Sequence, residues 1–77
     1  LDNRNIIGKK INLIRKLKGI TQEQLTARLN VQGIDIDRTM ISKIETQSRE
    51  ISDFEIKAIA NALGVTIEEL FHESQSK

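Results

Sequence analysis

At Thr21 to Gln24, Ser52 to Glu55 and Thr66 to Glu69, a serine or threonine is followed, three positions on, by glutamate or glutamine at the head of an apolar stripe. Each pattern is a capping box, in which the hydroxyl and the acid or amide satisfy backbone donors at a helix start. The chain also lacks proline. Together these features specify several short helices and leave no convincing strand. The expected fold class is all-α.

Apolar spacing fills in the rest. Ile7, Ile11 and Ile14, with Ile6, Leu13 and Leu17 beside them, make a wide helical stripe over residues 5–18. Gly19 stands where that helix would stop. The helix opened by Thr21 carries Leu25 and Leu29 on one face, with Gly33 as its end and Asn30 as an earlier candidate. Asp37 is the next N-cap, since a carboxylate both accepts N–H bonds and opposes the positive helix end. From Arg38 to about Glu45, Ile41 and Ile44 point inward, while Arg38, Thr39, Ser42 and Lys43 point outward. The Ser52 box opens a helix with Ile56, Ile59, Ala60 and Leu63 on one stripe, closed by Gly64. The Thr66 box opens a fifth, with Leu70 and Phe71. Residues 1–72 read as one domain and 73–77 as a polar, frayed tail.

Composition narrows the function classes. Without cysteine and with His72 as its one histidine, the chain has no thiolate or histidine cluster for a metal, and no cofactor motif is visible. With Phe54 and Phe71 as its only aromatics, it lacks the stacking platforms of single-stranded nucleic-acid modules. No apolar run reaches the ~20 residues of a membrane span, and no signal-peptide core is visible. A soluble, cytoplasmic domain is expected, and a start at Leu1 rather than methionine fits an excised one. Asp35 and Asp37 are the nearest thing to an acid pair, but nothing joins them in a catalytic arrangement, so an enzyme is not expected.

The net charge of +1 conceals an uneven distribution. The first 20 residues hold Arg4, Lys9, Lys10, Arg15, Lys16 and Lys18 against Asp2, whereas the remainder is acidic on balance. Such asymmetry suggests an anionic partner for one face.

Two short helices joined by a turn, the second polar outside and held by two isoleucines, suit insertion into a DNA groove. Here the chain resembles the phage-repressor-like, Cro-type helix-turn-helix domains, also called the xenobiotic-response-element family. Four stretches carry the resemblance: Ile7–Ile11, Lys18–Leu25, Met40–Glu45 and Ile59–Phe71. It implies a five-helix, lambda-repressor-like domain that binds double-stranded DNA as a homodimer and regulates transcription. On that resemblance, Gln22 matches a glutamine that bonds a DNA phosphate from the start of helix 2. Arg38, Thr39, Ser42 and Lys43 fall on base-reading positions, and Arg15 and Glu45 match an ion pair linking helix 1 to the end of helix 3. Arg49 lies in the loop where relatives contact phosphates. Lys9 and Lys10 are candidate phosphate contacts from the basic end, and Ile67, Leu70 and Phe71 are a candidate dimer patch. A protein-interaction module that keeps the fold without operator binding is the alternative.

Three departures stand out. About five extra residues separate Leu29 from the Asp37 cap. Either helix 2 runs on to Gln32, or a loop forms in which Ile34 and Ile36 plug the core, and helix 3 could be displaced from Gln22. Thr26 replaces a usual alanine. Gln47 stands where relatives often have glycine, which points to a less tight turn.

Overall fold

All three capping boxes close: the hydroxyls of Thr21, Ser52 and Thr66 accept from the backbone N–H three residues on, and each Gln or Glu side chain reaches back. Asp37 caps its helix as the spacing predicts, accepting from the Met40 N–H at 2.9 Å. In the computed structural model, which describes residues 3–72, the helices are α1 (Gly8–Leu17), α2 (Gln22–Val31), α3 (Arg38–Glu45), α4 (Asp53–Leu63) and α5 (Ile67–Phe71). The tail expected at 73–77 lies outside the described residues.

α1 starts later than the periodicity suggests. Asn5 folds back so that its Oδ1 accepts the Gly8 N–H at 2.6 Å, and residues 5–7 stay outside the helix. The stripe on α1 is also narrower than expected. Ile7, Ile11 and Ile14 are buried, whereas Ile6, Leu13 and Leu17 are exposed, because a ten-residue helix turns only one face to its neighbours.

The core is aliphatic, built from α1, α2, α3 and α4 and closed by Leu70 of α5. α2 packs on α3 and α4, while α1 bridges α3, α4 and α5. The side chain of Arg28 donates to the Ala62 carbonyl and that of Gln32 to the Ala58 carbonyl, tying α2 to α4.

Both readings of the long turn hold at once. α2 does run on, to Val31 with Gln32 as its cap, and Ile36 is buried with Ile34 packed on the core. Asn30 holds the loop by donating to the carbonyls of Ile34 and Ile36. The extra length is therefore taken up away from the α2 N-terminus. Thr26 fits by turning its hydroxyl to the Gln22 carbonyl at 2.8 Å.

The turn after α3 is as tight as this chain's own glycine turns. Ser48 N–H bonds the Lys43 carbonyl, the same pattern by which Ile20 bonds Arg15, Ile34 bonds Leu29 and Val65 bonds Ala60. The residue before each of the last three donors is a glycine with positive φ; at the fourth it is Gln47, with φ of 66°. Gln47 accepts this strained conformation because it is tied on both sides: its side chain donates to the Asn5 carbonyl and its own carbonyl accepts from Arg4 N–H.

Candidate nucleic-acid interface

α3 turns Ile41 and Ile44 into the core, at 1% and 0% exposure, and this fixes what its other face displays. Arg38, Thr39 and Lys43 are exposed and Ser42 is half-buried. The four expected base readers thus share the outward side of one eight-residue helix.

Glu45, at the end of α3, faces inward and anchors the interface. Arg15 grips it with two bonds, Nε to Oε2 at 2.7 Å and Nη2 to Oε1 at 3.0 Å, and its Nη1 donates to the Ile20 carbonyl. Asn12 adds a bond to Oε1 at 2.7 Å and Gln22 another at 3.0 Å. Burial pushes the Glu45 carboxyl up, but the hydrogen bonds from Arg15, Asn12 and Gln22, with the Arg15 charge, more than reverse this and leave it below its ordinary value. The hydrogen bond to Glu45 raises the Arg15 guanidinium further, against its own burial. Because every polar atom of this buried pair is satisfied, it sets the angle between α1 and α3; its net stabilisation is small, since desolvation offsets the attraction.

Gln22 is the link from this anchor to the surface. Its Nε2 donates to Glu45, so its Oε1 faces out and accepts from Arg38 Nη1 at 3.2 Å. The orientation of the amide is settled by chemistry, because an ionised carboxylate only accepts and a guanidinium only donates. The long turn has not displaced α3 from Gln22.

Other expected site residues are dispersed. Arg49 is held by Glu55 through two bonds of 3.1 and 3.0 Å, and also donates to the Glu50 carbonyl. The Arg49 hydrogen bonds hold the Glu55 carboxyl below its usual range, with burial opposing. Lys9 and Lys10 both border one groove at the α1–α5 end but differ in exposure and partner. Lys9 is exposed, whereas Lys10 is half-buried and donates to the His72 carbonyl beyond α5 at 2.9 Å. The candidate dimer patch also divides: Leu70 is 1% exposed and belongs to the core, while Ile67 and Phe71 are 43% and 44% exposed. Phe71 instead shares an open groove of about 480 Å³ with Ile6 and Leu13.

Asn12 and Asn5 complete the site beyond the residues that the sequence motifs mark. Asn12 lies one helical turn before Arg15 and so faces the same partner, a relationship visible in the sequence. That of Asn5 is not: its amide donates to the carbonyls of Ile44 and Arg49, far away in the chain.

Among the described residues no group of side chains could hold a metal ion, and no helix is long and apolar enough to cross a membrane.

The sequence profile of the family described as Helix-turn-helix matches residues 11–70. The chain is 35% identical over 71 residues to the control protein C.MunI of Mycoplasma sp, covering 91% of this chain and 89% of that one. Among solved structures it is similar to the restriction-modification controller protein C.AhdI from Aeromonas hydrophila, at 29% identity and a TM-score of 0.75, covering 84% of this chain and 91% of that one. It is also similar to the controller protein C.Esp1396I, a tetramer in complex with its natural 35-base-pair operator, at 32% identity and a TM-score of 0.67, with 86% and 91% covered.

Proposed function

The chain belongs to the Cro-type helix-turn-helix family, and from that premise we propose that it is a sequence-specific regulator of transcription that binds double-stranded operator DNA. The observation that carries this is the arrangement of α3: two buried isoleucines and a buried, four-bonded Glu45 hold a rigid helix whose other side is Arg38, Thr39, Ser42 and Lys43.

Inserted in a major groove, Arg38 and Lys43 donate to guanine O6 and N7, and Thr39 and Ser42 offer hydroxyls. The first backbone N–H groups of α2 have no partner within the helix, and the second Nε2 proton of Gln22 adds a donor beside them, which suits a phosphate. On the α1 side the phosphate contact falls to Lys9, since Lys10 is directed to α5. Arg49 is held by Glu55, so its first role is to hold the turn after α3 against α4, with Nε and one Nη2 proton left for a phosphate.

One recognition helix spans only a few base pairs, and a homodimer on a palindrome doubles the contacts. Ile6, Leu13 and Phe71 are exposed apolar side chains around one groove, and Ile67 is exposed on the same helix as Phe71, opposite in role to the buried Leu70. Residues 1–72 then form the DNA-binding domain, without catalytic function, acting in the cytoplasm where its DNA is. The relatives' descriptions as controller proteins favour this over an interaction module that has lost operator binding.

Selection of bound sites from random duplex DNA tests the proposal. We expect a palindromic site, relaxed at one base pair per half-site by Arg38→Ala and at another by Lys43→Ala, each by about 1–3 kcal/mol. Recovery of no preferred sequence by the folded wild-type chain would reject it.

A further inference from the structure

Arg38 is not left to wander in solvent. Its Nη1 donates to Gln22 Oε1 at 3.2 Å, and its Nε stands 3.7 Å from Glu23 Oε2. Both partners lie in the first turn of α2, so two consecutive side chains of one helix hold the leading side chain of the next. Gln22 is itself fixed by Glu45, and Glu23 is the charged one of the two partners of Arg38. The Gln22 hydrogen bond uses one Nη1 proton and the 3.7 Å contact to Glu23 is an exposed ion pair, so both Nη2 protons stay available to another acceptor.

A carboxylate at this place carries a penalty for DNA binding, since it lies beside the helix terminus that would meet a phosphate. It also favours the α2 macrodipole, but an aspartate would do so equally. A side chain one methylene shorter would stand farther from Arg38 than the 3.7 Å that Glu23 reaches.

We infer that Glu23 is a positioning residue for base recognition, holding the Arg38 guanidinium in its reading orientation and exchanging general affinity for selectivity. The inference rests on the reading of Arg38 as a base reader given above. In the free protein the ion pair restricts the side-chain rotations of Arg38, so less freedom is lost when it meets its base. A wrong base leaves the guanidinium with Glu23, while random DNA meets an additional negative charge.

The test compares the full chain with Glu23→Gln, Glu23→Asp and Arg38→Ala, each alone, and with Glu23→Gln combined with Arg38→Ala. The readouts are base preference in selection from a random-sequence duplex pool and affinity for one fixed random-sequence duplex at low salt. Both Glu23 variants should lose preference at the base pair that Arg38 reads by about 2–5-fold, the range of an exposed ion pair. Only Glu23→Gln should tighten binding to the random duplex, because Glu23→Asp keeps the charge. In the Arg38→Ala background Glu23→Gln should leave every base preference unchanged. Preference retained by either single Glu23 variant, while Arg38→Ala relaxes it, would overturn the positioning role and leave Arg38 as the reader. Preference retained by Arg38→Ala itself would instead overturn the base-reading assignment, and the inference with it.

Discussion

Gly8 opens α1 directly against the carbonyl oxygen of Ile44 in the last turn of α3, so close that a Cβ on residue 8 would overlap that oxygen. The same Cβ would lie 2.9 Å from Asn5 Oδ1 and 3.1 Å from Gln47 Cγ. The oxygen belongs to a helix backbone and cannot step aside alone. Gly8→Ala should therefore destabilise the fold by about 1–3 kcal/mol, despite the better helix propensity of alanine. Gly19→Ala, in open space, should show only the strain of its left-handed backbone, about 1 kcal/mol. Urea midpoints compare the two, and a Gly8→Ala chain as stable as wild type would rule out the close approach.

Gln47 gives an independent test of the same junction. Its φ of 66° is tolerable for an unbranched side chain and poor for a β-branched one. Gln47→Gly should stay within about 1 kcal/mol of wild type, because relief of strain offsets the lost bond to Asn5. Gln47→Val should lose about 2 kcal/mol. Equal stability of the two variants in urea would place residue 47 outside the left-handed region.

Glu45 and Glu55 make stability depend on acid. Both carboxyls lie below their ordinary value in the fold, so the unfolded chain takes up protons first and stability rises with pH on the acid side. The contribution is complete above the unfolded value of about 4.3 and is lost as pH falls through the lower folded values. Urea midpoints should be level from neutrality down to about pH 5 and decline below that. Glu55→Gln should lower the plateau and flatten the acid limb. An acid limb as steep as wild type's would show that Glu55 is not among the groups responsible.

Lys9 and Lys10 are neighbours in sequence that differ in exposure and partner, and salt dependence separates them. Lys9→Glu should weaken DNA binding and flatten the log–log salt slope by about 0.9 for a lost phosphate contact. Lys10→Glu should leave the slope parallel to wild type, since its ammonium sits at the His72 carbonyl. Identical slopes in all three chains would exclude a direct phosphate contact by either lysine.

Leu70 and Phe71 are likewise adjacent and opposed. Leu70→Ala empties a buried site and should cost about 2–5 kcal/mol. Phe71→Ser, at an exposed position, should leave the monomer about as stable but weaken self-association, read by sedimentation. Unchanged association in a folded Phe71→Ser chain would move the dimer surface elsewhere.

Unlike the start of α1, which is set by Asn5, the caps at Thr21, Asp37, Ser52 and Thr66 and three of the four shared end turns are legible in the sequence. The reason is that caps and left-handed glycines act within a few residues of themselves. The outward face of α3 was legible for the same reason: Ile41 and Ile44 fix its inner side by periodicity alone. What the sequence could not decide was which polar side chains meet across distance. Arg49 reads as a free cation until α4 brings Glu55 to it. Lys10 reads as the twin of Lys9 until α5 offers it a carbonyl. Ile6 and Leu13 read as core until α1, with only one side covered, leaves them outside. Gln22, Glu23 and Arg38 become one clamp only because α2 and α3 cross where they do. Local backbone chemistry is encoded within a turn of helix, whereas a side chain's partner is set by where the other helices come to rest.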